Sequence, residues 1–580
     1  MRTIRVAIGQ INPIVGDLSG NVKKIIEIIS LAKEAKSHIV IFPELAITGY
    51  PPEDLLLKPS FIKANLDNLS KVIEASSSIC TIVGFVGKEN DIFNSAAVIH
   101  DQKLLTVYNK IFLPNYSVFD EDRYFQPGSE FTVFKLLDTW FGVNICEDIW
   151  HPGDPIRTQA FYGNAEIILN ISASPYHIGK NKYMERMLAQ RASDYGVILV
   201  YVNLVGGQDE LVFAGNSMVF DESGKLITRG KAFEEDLIIV DLFPERVFAK
   251  RLHDPRIRKE KLIKNEGANN LKKVEIPPSF YPPSMPTLPY RKEPDVMSDI
   301  EEIYHALVLG TKDYMKKNGF SKAVIGLSGG IDSSLVAALT VEAIGKENIL
   351  GVLMPSQYTS KESIEDAKKV ARNLGIEIFM IPIQKIYNAF YNELSPYFQN
   401  LPPDITEENL QARIRGNILM AISNKFKMLL LSTGNKSEVS TGYCTLYGDM
   451  AGGFSVIKDV KKTVVYELAR FYNKIKGRDI IPERVLIKPP SAELKPNQKD
   501  EDTLPPYDTL DPILELYVEQ DKDINEIASM GFDKEKVKEI MKMVDRNEYK
   551  RRQGSPGIRI TARAFGKDRR LPITNKFNVL

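Results

Sequence analysis

Three ionisable side chains in the first half of the chain each follow closely on a run of apolar, strand-forming residues. HIVIFPEL carries Glu44, LLTVYNK ends on Lys110 and WFGVNIC ends on Cys146. Proteins that alternate strands and helices build their sites from strand ends, so positions far apart in sequence meet in space. The three types are complementary. A thiolate is a strong nucleophile, a carboxylate takes a proton and returns it, and an ammonium stabilises an oxyanion. Together they suit nucleophilic, covalent catalysis. Glu147 and Asp148 follow the cysteine directly, and carboxylates so close raise a thiol pKa; they must point away or be offset by Lys110. With only six histidines in 580 residues, a Ser/His/Asp arrangement has little support. Cys80 and Cys444 lack such a setting and are expected to be structural.

A different chemistry is written in the second half. Gly326, Leu327, Ser328, Gly329, Gly330, Ile331, Asp332 and Ser333 stand between an apolar strand and a helix. Glycines there let the backbone turn tightly and aim N–H groups, with the helix N-terminus behind them, at an anion. Phosphate loops ending in Gly-Lys-Ser/Thr use the lysine on the β- and γ-phosphates; here that lysine is absent and Asp332 takes its place. An aspartate among phosphates suits Mg²⁺. A glycine turn with Asp332 or Ser333 merely capping the helix is the plainer alternative.

The elements that must position these residues fall into two patterns. Residues 1–265 alternate β-rich runs (RVAIGQI, TIVGFVG, AEIILNIS, VILVYVN) with helical ones such as NVKKIIEIISLAKEAK. That alternation predicts an α/β domain, and the half-polar runs suggest sheets packed as a sandwich. Prolines then recur in IPPSFYPPSMPTLPYRKEP, within a stretch, 266–296, that reads as a linker. From 297 to 580 a run of βαβ units predicts an open parallel sheet with helices on both faces.

Composition narrows the function classes. Lys plus Arg equals Asp plus Glu at 75 each, so no global field steers the chain toward nucleic acid or a membrane surface. Three cysteines without a CxxC pair exclude a disulfide framework and point to a reducing compartment. The opening MRTIRVAIGQINP breaks at Gly9-Gln10 and reads as a first strand rather than a signal peptide. No apolar stretch approaches the roughly 20 residues of a membrane helix. The cytoplasm is the expected location.

The loop string SGGIDS resembles the SGGxDS loop of the ATP-pyrophosphatase family, whose members cleave between the α- and β-phosphates and adenylate a substrate. TGNKSE (433–438), TGYCTLYGD (441–449), a lysine before threonine at 462 and SAEL (491–494) are similar to the NAD synthetase family. The resemblance covers nearly all of 297–580 and implies a doubly wound, adenine nucleotide α-hydrolase-like domain that amidates deamido-NAD. It implies ATP contacts from the loop residues named above and from Thr433, Lys462 and Ser491. Asp332 and Glu438 match Mg²⁺-binding carboxylates. Asn409, Arg413, Lys550 and, as an alternative to its metal role, Glu438 match contacts to deamido-NAD. Asn409 and Arg413 lie four apart and share a helix face. Where smaller relatives place an aspartate and a lysine around the GD segment, this chain has Gly453 and Leu446.

In the first half, FPEL, YNKIFLPNY and NICEDIW resemble the motifs around the Glu-Lys-Cys triad of the nitrilase (carbon–nitrogen hydrolase) superfamily. This implies an α-β-β-α sandwich with Glu44, Lys110 and Cys146 catalytic and Glu121 assisting. The fusion resembles glutamine-dependent NAD synthetases, which implies glutamine as the amide substrate, with Tyr116, Ser174 and Lys180 in contact with it, and ammonia passed between the sites. It also implies homo-oligomers built on synthetase-domain dimers. Another ATP-pyrophosphatase amidotransferase is the nearest rival, opposed by TGNKSE and SAEL. A tRNA-modifying thiolase is opposed by the neutral charge and missing CxxC, and a dead scaffold by the complete set of motif residues.

Overall fold

Along the strand Ile4–Gln10 every residue is buried, and the period-two alternation of a strand sends neighbours into two different cores. Val6 and Ile8 join a core with Ile167, Leu169 and Ile171 of a second sheet. Ala7 joins another with Val22, Ile25 and Ile29 of the helix Leu18–Glu34. In the second sheet, Ile168 turns outward to pack with Met184 and Leu188 of the helix Lys180–Tyr195. The result is four layers, α-β-β-α. The central strands are buried on both faces because helices cover the outer face of each sheet, whereas edge strands such as Lys103–Asn109 and Asp236–Leu242 keep the half-polar alternation.

The structure, a computed structural model, describes residues 2–260, 269–276, 285–399 and 401–577. The chain divides into two compact units, one of Met1–Gln208 and Val212–Val296 and the other of Asp209–Leu211 and Met297–Leu580. In the first unit one sheet has six strands, in the order Asp236–Leu242, Ile4–Gln10, Ile39–Ile41, Cys80–Lys88, Ile92–His100, Lys103–Asn109. A second has seven, and its centre, Thr139–Ile145, Ile167–Ser172 and Ile198–Asn203, is parallel; Val205–Gln208 and Leu211–Ala214 form a separate two-stranded sheet. Part of the expected linker, 266–268 and 277–284, lies outside the described residues. Of the rest, Leu271–Glu275 forms an edge strand parallel to Phe131–Leu136, so this stretch adds to the sheet as well as connecting.

The second unit holds five parallel strands in the order Glu377–Met380, Ile349–Leu353, Ala323–Gly326, Leu429–Ser432, Phe454–Ser455. From Ala323–Gly326 the chain winds first to one side and then, from Leu429, to the other. That reversal opens a crevice beyond the carboxyl ends of these two strands, where α/β sheets bind ligands. The loop 326–333 leaves the first strand and TGNKSE leaves the second. Among the described residues no helix is long and apolar enough to cross a membrane.

Candidate active sites

Glu44 stands three residues past the strand Ile39–Ile41. Its backbone lies against Gly84 of the adjacent strand, where a Cβ would meet the Leu45 nitrogen at 2.3 Å. Only glycine leaves room there. Glu44 Oε1 accepts from Lys110 Nζ at 2.7 Å and from Asn94 Nδ2 at 2.7 Å, and Oε2 accepts from the Ala173 amide at 2.8 Å. Lys110 also donates to Glu121 Oε1 at 2.9 Å, an oxygen that accepts from the Tyr50 hydroxyl at 2.8 Å. Lys110 and Glu44 are both fully buried. Burial alone would lower the Lys110 pKa, but the Glu121 and Glu44 carboxylates hold it well above its ordinary value. Burial pushes Glu121 up.

Cys146 begins the turn Cys146–Ile149 at the end of the strand Thr139–Ile145, with φ of 43°. This left-handed conformation is uncommon for a non-glycine residue. Asp148 explains how the turn is held. It accepts from the amides of Ile145 (2.9 Å), Ile111 (3.2 Å) and Phe112 (3.0 Å) and from the Tyr108 hydroxyl (2.7 Å). One carboxylate therefore ties the cysteine turn to the segment after Lys110. Glu147 accepts from the Tyr116 hydroxyl at 3.0 Å. Burial raises the thiol pKa well above its ordinary value; Glu44 adds to this, Lys110 opposes it, and Glu147 and Glu121 raise it further. Ser174 and Lys180 line a small neighbouring cavity with Asn181 and Asn203. Lys180 Nζ donates to the Pro175 carbonyl at 2.7 Å. Tyr116 is half exposed and its hydroxyl is engaged with Glu147.

In the second unit a cavity of about 300 Å³ is lined by the whole loop 326–333 together with Thr433, Glu438, Lys462 and Ser491. Ser328 Oγ accepts from the Gly330 amide at 3.2 Å and lies 3.1 Å from Ser333 Oγ, which closes the loop on itself. Gly329 has φ of 85°, and a Cβ there would meet the Ser363 carbonyl at 2.1 Å. TGNKSE is a capping box: Asn435 Oδ1 accepts from the Glu438 amide at 3.0 Å, and Glu438 Oε2 from the Asn435 amide at 3.4 Å. The same Asn435 donates to Asp332 Oδ1 at 2.9 Å. Lys462 Nζ bridges Asp332 Oδ2 at 2.5 Å and Glu438 Oε1 at 3.4 Å. Burial would lower the Lys462 pKa, but Asp332 and Glu438 hold it above its ordinary value. Glu438 is pushed up to about 8 by burial, eased by Lys462 and raised further by Asp332, Asp500 and Asp449.

Asn409, Arg413 and Lys550 meet elsewhere, on the turn after TGNKSE. Thr445 Oγ1 donates to Asn409 Oδ1 at 2.7 Å, Arg413 Nε to the Leu446 carbonyl at 3.2 Å, and Lys550 Nζ to the carbonyls of Gly442 (2.7 Å) and Cys444 (3.0 Å). A smaller cavity beside this turn is lined by Glu438, Cys444, Asp449 and Arg551. Sequence reasoning missed Arg415, Lys488 and Asp500, which line the larger cavity, and Asn94 in the first unit, and it gave Glu493, within SAEL, no role. Arg415 had a signal. Two residues along a helix turn a side chain by about 200°, so if Arg413 faces one way Arg415 faces the other. Burial lowers the Arg415 pKa to about 10 against the attraction of Glu493.

Residues 5–251 match the carbon-nitrogen hydrolase family and 303–554 match NAD synthase. The chain is 51% identical to the glutamine-dependent NAD(+) synthetase of Thermotoga maritima, covering 100% of this chain and 99% of the relative. Against that of Aquifex aeolicus it is 50% identical, covering 99% and 100%. A solved glutamine-dependent NAD+ synthetase from Acinetobacter baumannii, in complex with adenosine diphosphate, is 42% identical with a TM-score of 0.75, covering 99% and 98%. Because the likeness runs through both units at once and over the full length of each relative, this chain belongs to the family of glutamine-dependent NAD(+) synthetases.

Proposed function

We propose that the chain amidates deamido-NAD to NAD⁺ at the expense of ATP, with nitrogen that its first unit releases from glutamine. The observation that carries this reading is the pairing of two chemistries: a buried Glu44–Lys110 pair beside Cys146, and a phosphate-type loop facing Lys462. The high thiol pKa favours proton transfer to Glu44 as the substrate enters, over a standing thiolate. Sulfur then attacks the glutamine side-chain amide, Lys110 stabilises the oxyanion, and Glu44 gives its proton to the nitrogen as the C–N bond breaks and ammonia leaves. Water, activated by Glu44, cleaves the thioester to glutamate. Tyr116, Ser174 and Lys180 are proposed to hold the glutamine, and Glu121 to assist Lys110. In the second unit a nicotinate carboxylate oxygen attacks the ATP α-phosphorus and pyrophosphate leaves. Ammonia then attacks the acyl carbon and AMP departs. The loop 326–333, Thr433, Lys462 and Ser491 are proposed to hold ATP, and Asn409, Arg413 and Lys550 deamido-NAD. Residues 1–265 would form the glutaminase and 297–580 the synthetase, with 266–296 linking them.

Asp332 and Glu438 fit Mg²⁺. Their oxygens are hard donors, and a divalent cation would offset the burial, and the added repulsion of Asp332, Asp500 and Asp449, that push Glu438 up to about 8. Among the described residues no cluster of three protein ligands stands ready, but Mg²⁺ takes one or two carboxylates and completes its shell with substrate phosphates and water. When bound it would spread the charge of the departing pyrophosphate. A contact from Glu438 to the dinucleotide is the second reading. Three free cysteines and ATP as substrate favour the cytoplasm, and neutral net charge disfavours nucleic acid. Homo-oligomers assembled through the synthetase unit are proposed from the exposed apolar side chains of the helix Gln384–Leu394.

Cys146→Ala tests the division of labour. NAD⁺ formation driven by glutamine is expected to vanish while high ammonium restores it. Failure of ammonium to restore synthesis would overturn the proposal.

A further inference from the structure

Asn94 lies inside the strand Ile92–His100 and is 1% exposed. We propose that Asn94 is a positioning residue of the glutaminase centre, whose side-chain N–H groups hold Glu44 in place as the base. The inference rests on the role of Glu44 proposed above. Asn94 Nδ2 donates to Glu44 Oε1 at 2.7 Å and to Glu121 Oε2 at 3.3 Å. The orientation of the amide follows from chemistry: turned over, its oxygen would face two carboxylates with nothing to donate. The same residue's carbonyl accepts from the Lys110 amide at 2.8 Å. Asn94 thus fixes the start of the lysine segment with its backbone and the catalytic carboxylate with its side chain.

A second observation separates this role from ordinary packing. Asn94 Oδ1 is buried with no hydrogen-bond partner. An unpaired buried acceptor costs stability, and an apolar side chain of the same volume would avoid that cost. What such a side chain lacks is a pair of N–H donors for two carboxylates that share one ammonium. The ionisable groups facing Glu44 are Lys110, Glu121, Cys146, Tyr50 and Tyr201, and Glu147 acts on Cys146 from the adjoining turn. Lys110 is the only cation among these named groups. Asn94 therefore supplies donors where a second positive charge would otherwise be needed, and it leaves Glu44 free to accept a proton.

The test uses the full-length enzyme and two near-isosteric variants, Asn94→Asp and Asn94→Leu, with glutamine and ammonium as alternative nitrogen sources. In Asn94→Asp the donors become a third carboxylate. Glutamine-driven kcat is expected to fall by about 100-fold, the order of a general-base contribution, with KM for glutamine little changed. The acid limb of the pH profile should move to higher pH. Asn94→Leu should lose a comparable part of kcat and move the limb in the same direction by less, because donors to the carboxylate are lost but no new negative charge is added. Ammonium-driven synthesis should match wild type in both. A wild-type kcat and acid limb in Asn94→Asp would overturn the proposal, and so would a parallel loss of ammonium-driven synthesis in both variants, which would mark Asn94 as structural. Cys146→Ala, run alongside, distinguishes failure of the wider reading, because there glutamine would still drive synthesis without the nucleophile.

Discussion

Asp148 shows how much a single residue decides. Read from the sequence, it threatened the thiol beside it; in the fold its oxygens are spent on three amides and a tyrosine, and it joins the Cys146 turn to the Lys110 segment. Its type was legible and its direction was not, because a neighbour in sequence points wherever the local turn sends it. His38 gives a prediction at the same scale. It is buried, its Nδ1 accepts from the Arg5 amide at 2.9 Å, and burial, with Arg5 beside it and against the pull of Asp241, lowers its pKa from 6.5 to about 4. The unfolded chain thus binds a proton that the folded one refuses. Stability from this group is complete above pH 6.5 and is lost as pH falls toward 4. The shift amounts to on the order of 2 kcal/mol after discounting for solvent. His38→Asn keeps an acceptor for Arg5 and removes the titration. Its thermal midpoint should therefore decline less than that of wild type between pH 7 and 4.5, and parallel declines would show that His38 is not responsible. Glu44, Lys110 and Cys146 could be read because strand ends are where such sheets place chemistry. Asn94 could not, since a polar residue inside a strand gives no sign of which carboxylates its amide will meet.

Among the elements, the segment after Lys488 carries a feature that no motif announced. Glu493 has φ of 48° and accepts from Ser360 Oγ (2.8 Å), Ser363 Oγ (2.7 Å) and Lys488 Nζ (2.9 Å). These bonds fasten SAEL to the start of the helix Lys361–Leu374, whose Ser363 carbonyl lies directly against Gly329 of the phosphate-type loop. A left-handed non-glycine residue is strained and persists where its surroundings over-determine it. With Glu493→Ala, Lys488, Ser360 and Ser363 lose their common acceptor and Arg415 loses a neighbouring negative charge. The KM for ATP, measured with ammonium as nitrogen source, should rise about tenfold, the equivalent of one charged hydrogen bond's net worth of about 1.5 kcal/mol. An unchanged KM would mean that the anchor is dispensable for ATP. SAEL was legible as a motif because its residues recur in a known order; that its glutamate faces a helix start 130 residues earlier follows only from the sheet order. The same holds for the strand Leu271–Glu275, which proline-rich surroundings disguised as pure linker.

For the molecule as a whole, composition excluded more than it specified: equal numbers of acidic and basic residues say nothing about association. The second unit does. The helix Gln384–Leu394 has no buried residue, yet Ile386, Phe390, Tyr391 and Leu394 recur at helical spacing and are all exposed. Tyr397, Leu401 and Ile405 continue the exposed apolar run, and the helix that Ile405 begins carries exposed Met420 and Phe426. A helix of 11 residues is marginal in water without a packed face. Exposed apolar surface on this scale marks an interaction site. A second copy of the chain is the occupant proposed here, since homo-oligomers most often close through twofold faces that cover themselves. Phe390→Asp would place a charge at the centre of that face. By analytical ultracentrifugation at micromolar concentration, wild type should sediment as a dimer or a multiple of one and the variant as a smaller species, with its ammonium-driven synthesis reduced. An identical distribution for both would show that this face meets something other than itself.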